Sequence, residues 1–564
     1  MNERRHRTAI VCFALVTALL VGQMSYIAVV ERYFLQDQSK MQSERLQKIP
    51  VHRGMIYDRL GEPMAISTPV IAVTVNPSRV NWSENEIASV AEILDSDASE
   101  LRAKLESNRS RAFLYLARRQ TPQKALALQQ LELNGLDIQT EYRRYYPLGE
   151  VSAHLTGFTD IDERGLEGLE RAFDSHLDGE VGTRRVVRDR VGRLIRDVRY
   201  ESLPKYGKDL VTSIDSRLQF LAYSELQNVV EEYRAESASL ILLDVPTGGV
   251  LALANVPSYN PNNTSNLQWE NVRNRAVTDL VEPGSTFKPF VALAALESGR
   301  YSVDTEIDTN PGWTVVRSKT IEDPRNYGVL SLRNVLVKSS QVGSTRIALD
   351  LDEQALLKVH ERVGFHDYVL LGLPGERIGQ LSGDDISKPL TRATMSYGYG
   401  FSVTLAQLAR SYLTIATGGL QRQISILLRD EYREPDFRVF DQRHALQVLD
   451  MLTGVVGPTG TASKSSIPGF QVVGKTGTVR KITDSGYSDQ HHVTLFVGIV
   501  PMKNPQFLGL VMVDGPKPKV EGEKVSGGSV SAPVFKRIAT RALQLRGVHS
   551  RGTVAGGIGR DDAA

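Results

Sequence analysis

The sequence predicts an α+β protein in three parts: a membrane-spanning helix, a mixed α/β module, and a larger domain whose central antiparallel sheet is flanked by helices. Three observations carry this expectation. An apolar run of 23 residues, Thr8 to Val30, opens the chain. Strand-like runs near residues 238–254 and 470–513 bracket a helical middle in the second half. With 564 residues the chain is also too long for one ordinary domain.

Taken in order, Arg4, Arg5 and Arg7 precede the apolar run and Glu31 and Arg32 follow it. A helix of that length spans a hydrocarbon core, and the basic flank places residues 1–7 in the cytoplasm, 8–30 in the membrane and the rest outside. The alternative is a cleaved signal peptide; the run is longer than a usual signal core and lacks an A-x-A site, which favours a retained anchor. The single cysteine, Cys12, lies inside the span. Outside the membrane there is therefore no disulfide framework, no thiol nucleophile and no cysteine-based metal site.

Residues 31–205 read as a mixed, polar module. Phe113–Ala117 predicts a strand, and Thr121 before Pro122 predicts a capped helix running through Leu133 and stopping at Gly135. Arg184, Arg185, Arg188 and Arg190 with Asp189 form a basic cluster that reads as a solvated hairpin face rather than a phosphate site. From 206 the character changes. Ala238–Leu243 and Val250–Ala254 flank Pro246-Thr-Gly-Gly249 as a hairpin, and Val493–Val500 and Phe507–Val513 add two further strands. This domain is expected to span 206–546, with a glycine-rich, disordered tail over 547–564. Basic and acidic residues nearly balance, 67 against 65, so there is no basic excess for nucleic acid.

The chemistry starts at Glu282-Pro-Gly-Ser-Thr-Phe-Lys-Pro289. Ser285 and Lys288 are three residues apart at the predicted start of an apolar helix, so both face one side, near unpaired backbone N–H groups. An alcohol needs a base, and a lysine serves if its pKa falls from ~10.4 toward neutrality by burial or a neighbouring cation. The spacing alone is weak, since Ser202 and Lys205 share it in a proline-containing stretch where no helix is expected. Two further motifs follow in order. Ser339-Ser-Gln341 comes 54 residues after Ser285, and Lys475-Thr476-Gly477-Thr478 comes 190 residues after it, behind the strand-like run Phe470–Val473. Glycine in such a strand lets a ligand backbone approach, the threonines offer hydroxyls, and the lysine supplies a cation. His491-His492 lacks companions at ligand spacing and reads as strand histidines. Glu163, Glu167 and Glu170 near Asp160 and Asp162 read as solvated or salt-bridged rather than as a glycosidase pair.

The ordered trio matches the S-x-x-K, S-x-N and K-T-G pattern of penicillin-binding proteins. With Arg53–Arg59, Arg144–Pro147, Ala153–Thr159, Gly165–Gly168, Pro257–Asn262, Arg273–Ala276, Tyr397–Gly400 and Gly527-Gly528, the chain resembles a class B penicillin-binding protein of the FtsI, or penicillin-binding protein 3, type. The resemblance extends from about residue 8 to 540. It implies a pedestal of the dimerisation type before a β-lactamase-like domain, and a serine D,D-transpeptidase that cross-links peptidoglycan stem peptides at the division septum. In that reading Ser285 attacks a D-Ala-D-Ala donor, Lys288 takes its proton, and the backbone N–H groups of Ser285 and Thr478 hold the oxyanion. Ser339 relays a proton, Gln341 orients the donor, and Lys475, Thr476, Gly477 and Thr478 fix its carboxylate end. A stem-peptide amine is the acceptor, and β-lactams mimic the donor. An FtsW-type glycan polymerase is the implied membrane partner, with other division proteins. No cofactor or metal is implied. One departure stands out: Gln341 occupies a position that is usually Asn, one methylene shorter.

Other readings remain. A β-lactamase shares the trio but needs a deacylating base that no motif identifies. An elongation-type transpeptidase shares the catalytic residues, and a catalytically impaired paralogue would use the fold for binding or recruitment.

Overall fold

The computed structural model describes residues 2–34, 44–188, 194–381, 383, 385–428, 436–483 and 486–549. A helix runs Asn2–Val29, extending the apolar run backward through the arginines. Its apolar side chains are exposed, Leu19 to 75%. Such a helix fits a single-pass membrane anchor.

The chain divides into two compact units, one of residues 1–54, 67–143 and 178–208, the other of 55–66, 144–177 and 209–564. The sequence suggested a single change near 205, whereas the units interleave. The reason lies in the cores. Ile56, Leu155, Phe158 and Leu169 are buried in the same apolar cluster as Leu226, Leu240 and Leu495. The first unit has its own cluster, built on Val73, Val75, Val90, Leu101 and Leu128. A buried ion pair, Arg144 Nε to Glu170 Oε1 at 2.6 Å, ties the second unit's inserted segment internally.

In the first unit, Thr121 caps helix Pro122–Gln130 through Lys124 N, with proline at N1. The helix stops three residues before the expected Leu133, because Glu132 takes a left-handed conformation (φ 46°) before Gly135 (φ 83°). The expected strand at Phe113 is Leu114–Gln120. Strands Glu44–Ile49, Gly182–Arg188 and Leu194–Ser202 form an antiparallel sheet. There Arg184 pairs with Asp197, and Arg185 with Glu44 and Glu201. Asp189 and Arg190 lie outside the described residues, as do residues 550–564 of the expected tail.

The second unit is built on five strands: β1 (Ser237–Asp244), β2 (Val250–Val256), β3 (Val473–Thr483), β4 (Gly486–Val500) and β5 (Phe507–Asp514). Their order is β2-β1-β5-β4-β3, every pair antiparallel. All residues of β1 and β2 are buried, so both faces of this side of the sheet are covered. Helices α1 (Ser216–Tyr233), α4 (Leu405–Ala416) and α5 (Ser531–Leu545) pack against it. Between them in sequence lie α2 (Lys288–Glu297) and α3 (Gln341–Asp350). Every residue of α2 from Lys288 to Leu296 is buried. It is a core helix rather than an amphipathic one, and that drags Lys288 into the interior.

His491 and His492 sit inside β4, with His491 Nδ1 3.1 Å from Ser488 Oγ. Glu167 lies 3.9 Å from Arg171. Asp160 accepts hydrogen bonds from the backbone of Asp162 and Arg164.

Candidate active site

Ser285 lies in a single 3-10 turn, Gly284–Phe287, that feeds directly into α2. Gly284 enters the turn at φ 53°, and a side chain there would sit 2.6 Å from the Val479 side chain on β3. Gly477 is equally constrained: a Cβ would stand 3.1 Å from Thr286 Cγ2 and 3.2 Å from Pro283 O. The two glycines therefore allow the nucleophile's turn and strand β3 to meet backbone to backbone. Tyr412 of α4 donates its hydroxyl to Thr286 O at 2.7 Å, fixing the turn from beneath.

Ser339 is the hub. It caps helix Leu332–Lys338 in a left-handed conformation (φ 58°), and Ser340 next to it caps α3 by accepting from Gly343 N. At that junction Ser339 Oγ accepts from Lys475 Nζ at 2.9 Å and from Lys288 Nζ at 3.2 Å. Lys288 also donates to Ser339 O. Both lysines are fully buried. Two lysines 187 positions apart thus converge on one hydroxyl. Ser285 is partly exposed, and its hydroxyl makes no hydrogen bond among the described residues. In this geometry the Lys288 amine, one turn on, is engaged with Ser339 instead.

Electrostatics follow from burial. The Lys288 amine is pushed down to about 7, chiefly by desolvation and against the pull of Asp323. Lys475 is lowered well below the ordinary lysine range, again first by desolvation and then by the nearby Lys288. Two buried ammoniums cannot share so small a space, so the pair holds fewer than two protons near neutrality.

Along β3, Thr476 Oγ1 is 2.9 Å from Thr461 Oγ1, and Thr478 Oγ1 accepts from Gly527 N at 3.1 Å. Strand β3 is the last in its sheet. It begins at Val473, so the expected strand-like residues Phe470 to Val472 precede it. Gln341 is the first residue of α3; its side-chain amide is half-buried and makes no hydrogen bond among the described residues.

Sequence reasoning missed Asp323. Its buried carboxylate accepts from Ser340 Oγ at 2.5 Å, Gln341 N at 2.5 Å and Val342 N at 3.3 Å, anchoring the Ser339 junction. It follows a short hairpin, Trp313–Val316 with Lys319–Glu322, and no local pattern marks it.

The description of the penicillin binding protein transpeptidase domain matches residues 238–540, and that of the penicillin-binding protein dimerisation domain matches 48–212. Peptidoglycan D,D-transpeptidase FtsI of Escherichia coli K12 is 39% identical over 542 residues, covering 95% of this chain and 91% of that one. The chain belongs to the penicillin-binding protein transpeptidases of the FtsI type. Probable peptidoglycan D,D-transpeptidase PbpC of Pseudomonas aeruginosa is 37% identical, with 96% of each chain covered. Among solved structures, penicillin binding protein 3 of Mycobacterium tuberculosis, complexed with aztreonam, matches with a TM-score of 0.69 at 26% identity, over 89% of this chain and 98% of that one. The transpeptidase domain of penicillin-binding protein 3 from Burkholderia pseudomallei matches over 60% of this chain and 97% of its own, at 35% identity and TM-score 0.55. In this penicillin-binding protein the Ser285–Lys288, Ser339–Gln341 and Lys475–Thr478 motifs lie at the entry to the core helix, at the helix junction and on the end strand of the transpeptidase fold.

Proposed function

We propose that this penicillin-binding protein is a peptidoglycan D,D-transpeptidase that works through a Ser285 acyl-enzyme. The carrying observation is the convergence of Lys288 and Lys475 on Ser339 Oγ beside the Ser285 turn. A Lys288 amine near neutrality is half deprotonated at working pH and is a competent base for the serine hydroxyl. The donor peptide lies along strand β3, where its terminal carboxylate meets Lys475, Thr476 and Thr478, with Gly477 leaving room for its backbone. That carboxylate supplies a negative charge that offsets the cost of burying an ammonium, so Lys475 is protonated on binding and acts as the cation. Backbone N–H groups of Ser285 and Thr478 hold the oxyanion. Ser339 passes a proton between the lysines and the departing D-alanine, and the Gln341 amide orients the donor. A stem-peptide amine then takes the acyl group.

β-Lactams acylate the same serine as donor mimics. The chain's N-terminus lies in the cytoplasm and the residues after the anchor outside, from the arginines before the anchor. Its place is the division septum, beside an FtsW-type glycan polymerase, a reading supported by likeness to the protein named FtsI. The pedestal spans 31–205 and the transpeptidase domain 206–546. The test is turnover: the full-length chain in detergent, given a D-Ala-D-Ala donor and an isotope-tagged D-amino acid, is expected to release D-alanine and incorporate the tag. Release without incorporation would make it a carboxypeptidase, and neither product from folded protein would contradict the assignment.

A further inference from the structure

Transfer to an amine poses a problem that the Ser285 machinery does not address. The acceptor arrives as an ammonium and must lose a proton before it can attack, and water must not take its place. Beside the nucleophile's turn stands an acidic group with no part in the roles above. Glu282 is three residues before Ser285. Its segment is stitched to the loop 397–403 by Gly284 N to Gly398 O at 3.0 Å and by Val281 paired with Val403. Its Oε1 accepts from Gly400 N at 2.9 Å and from the Tyr487 hydroxyl at 3.0 Å on the exposed side. Oε2 is buried without a hydrogen-bond partner among the described residues. Tyr397, Tyr399 and Tyr487 form a chain of rings, centroids 5.6 and 5.5 Å apart, around this carboxylate. The Lys319 ammonium acts on it electrostatically, and Arg480 adjoins Tyr399.

A carboxylate whose Oε1 faces the exposed side beside three electron-rich rings suits a primary ammonium, which bonds Oε1 in place of the Tyr487 hydroxyl and lies against the ring faces. Burial also raises the Glu282 pKa, making it a better proton acceptor than an exposed carboxylate. We propose that Glu282, with Tyr397, Tyr399 and Tyr487, is the site that receives the acceptor's primary ammonium and takes one of its protons beside the Ser285 acyl-enzyme. The ammonium displaces the Tyr487 hydroxyl from Oε1. Of its three protons, one passes to Glu282 and one travels through neutral Lys288 to Ser285 Oγ. The third stays on the new amide. The C–N bond forms as the ester C–Oγ bond breaks, so serine is regenerated and no co-reactant is required. This inference rests on the transpeptidase reading.

A purely structural Glu282, holding the loop through Gly400 N, predicts something different. Glu282→Gln keeps an acceptor oxygen for Gly400 and Tyr487 and should then be silent. The test uses the full-length chain in detergent with a thioester donor and D-alanine as the amine probe. Labelled-penicillin acylation of Ser285 is measured in parallel. For E282Q the expected result is acylation within about threefold of wild type, with the ratio of aminolysis to hydrolysis down about tenfold or more. Tyr487→Phe, which keeps the ring and frees Oε1, is expected to raise that ratio. An unchanged ratio in acylating E282Q would overturn the proposal. So would parallel loss of acylation in folded E282Q, which would assign Glu282 to the donor step, or collapse of aminolysis in Y487F. Failure of the wild-type chain to acylate would bring down the transpeptidase reading, and this proposal with it.

Discussion

Proton transfer in the site rests on Lys288, whose amine reaches neutrality through burial. Its pKa of about 7 sets the expected pH dependence. The base is the neutral amine, so penicillin acylation should plateau above neutrality and decline as pH falls through about 7, approaching about tenfold per pH unit in acid. A rate flat from pH 5 to 8 would remove Lys288 from the role. Gln341 offers a second reading at this scale. Its side chain has no partner among the described residues and a backbone N–H already held by Asp323. Gln341→Asn therefore removes no hydrogen bond among the described residues, and should fold normally and acylate as fast or faster. A loss beyond about tenfold, ~1.4 kcal/mol of transition-state stabilisation, would show a site adapted to the longer amide.

At the scale of elements, the site is held by junctions: a 3-10 turn into α2, a left-handed serine between two helices, and the last strand of a sheet. Asp323 secures the middle junction with three hydrogen bonds. Asp323→Ala leaves the Ser340 hydroxyl and two backbone donors unpaired where they are buried, so it should cost about 2–4 kcal/mol in denaturant unfolding and slow acylation at least tenfold. Unchanged stability would deny the carboxylate its anchoring part. These junctions mark where the sequence was legible. The hairpin β1–β2 and strands β4 and β5 announce themselves as β-branched and leucine-rich runs, and Thr121-Pro122 announces its helix. The three motifs were readable because each needs a particular residue at fixed spacing. Asp323 and the Glu282 cluster were not, since each acts across a fold and carries no local signature. Helix α1 escaped notice because polar Gln219 sits on its buried face while apolar Phe220 is exposed, which blurs the periodicity. The interleaved units were equally hidden, because segments 55–66 and 144–177 join the second core only through tertiary packing.

For the whole molecule, the anchor and the catalytic unit make separable predictions. A fluorescent fusion of the full chain should concentrate at mid-cell during constriction, and uniform side-wall signal would favour an elongation role. The central claim is that one hydroxyl in this chain becomes acylated because buried Lys288 activates it. Peptide mapping by mass spectrometry after penicillin treatment tests that most directly. The account predicts a stable penicilloyl mass on the peptide containing Ser285, absent from a folded Lys288→Ala variant; an adduct on any other peptide, or undiminished labelling of Ser285 in K288A, would contradict it.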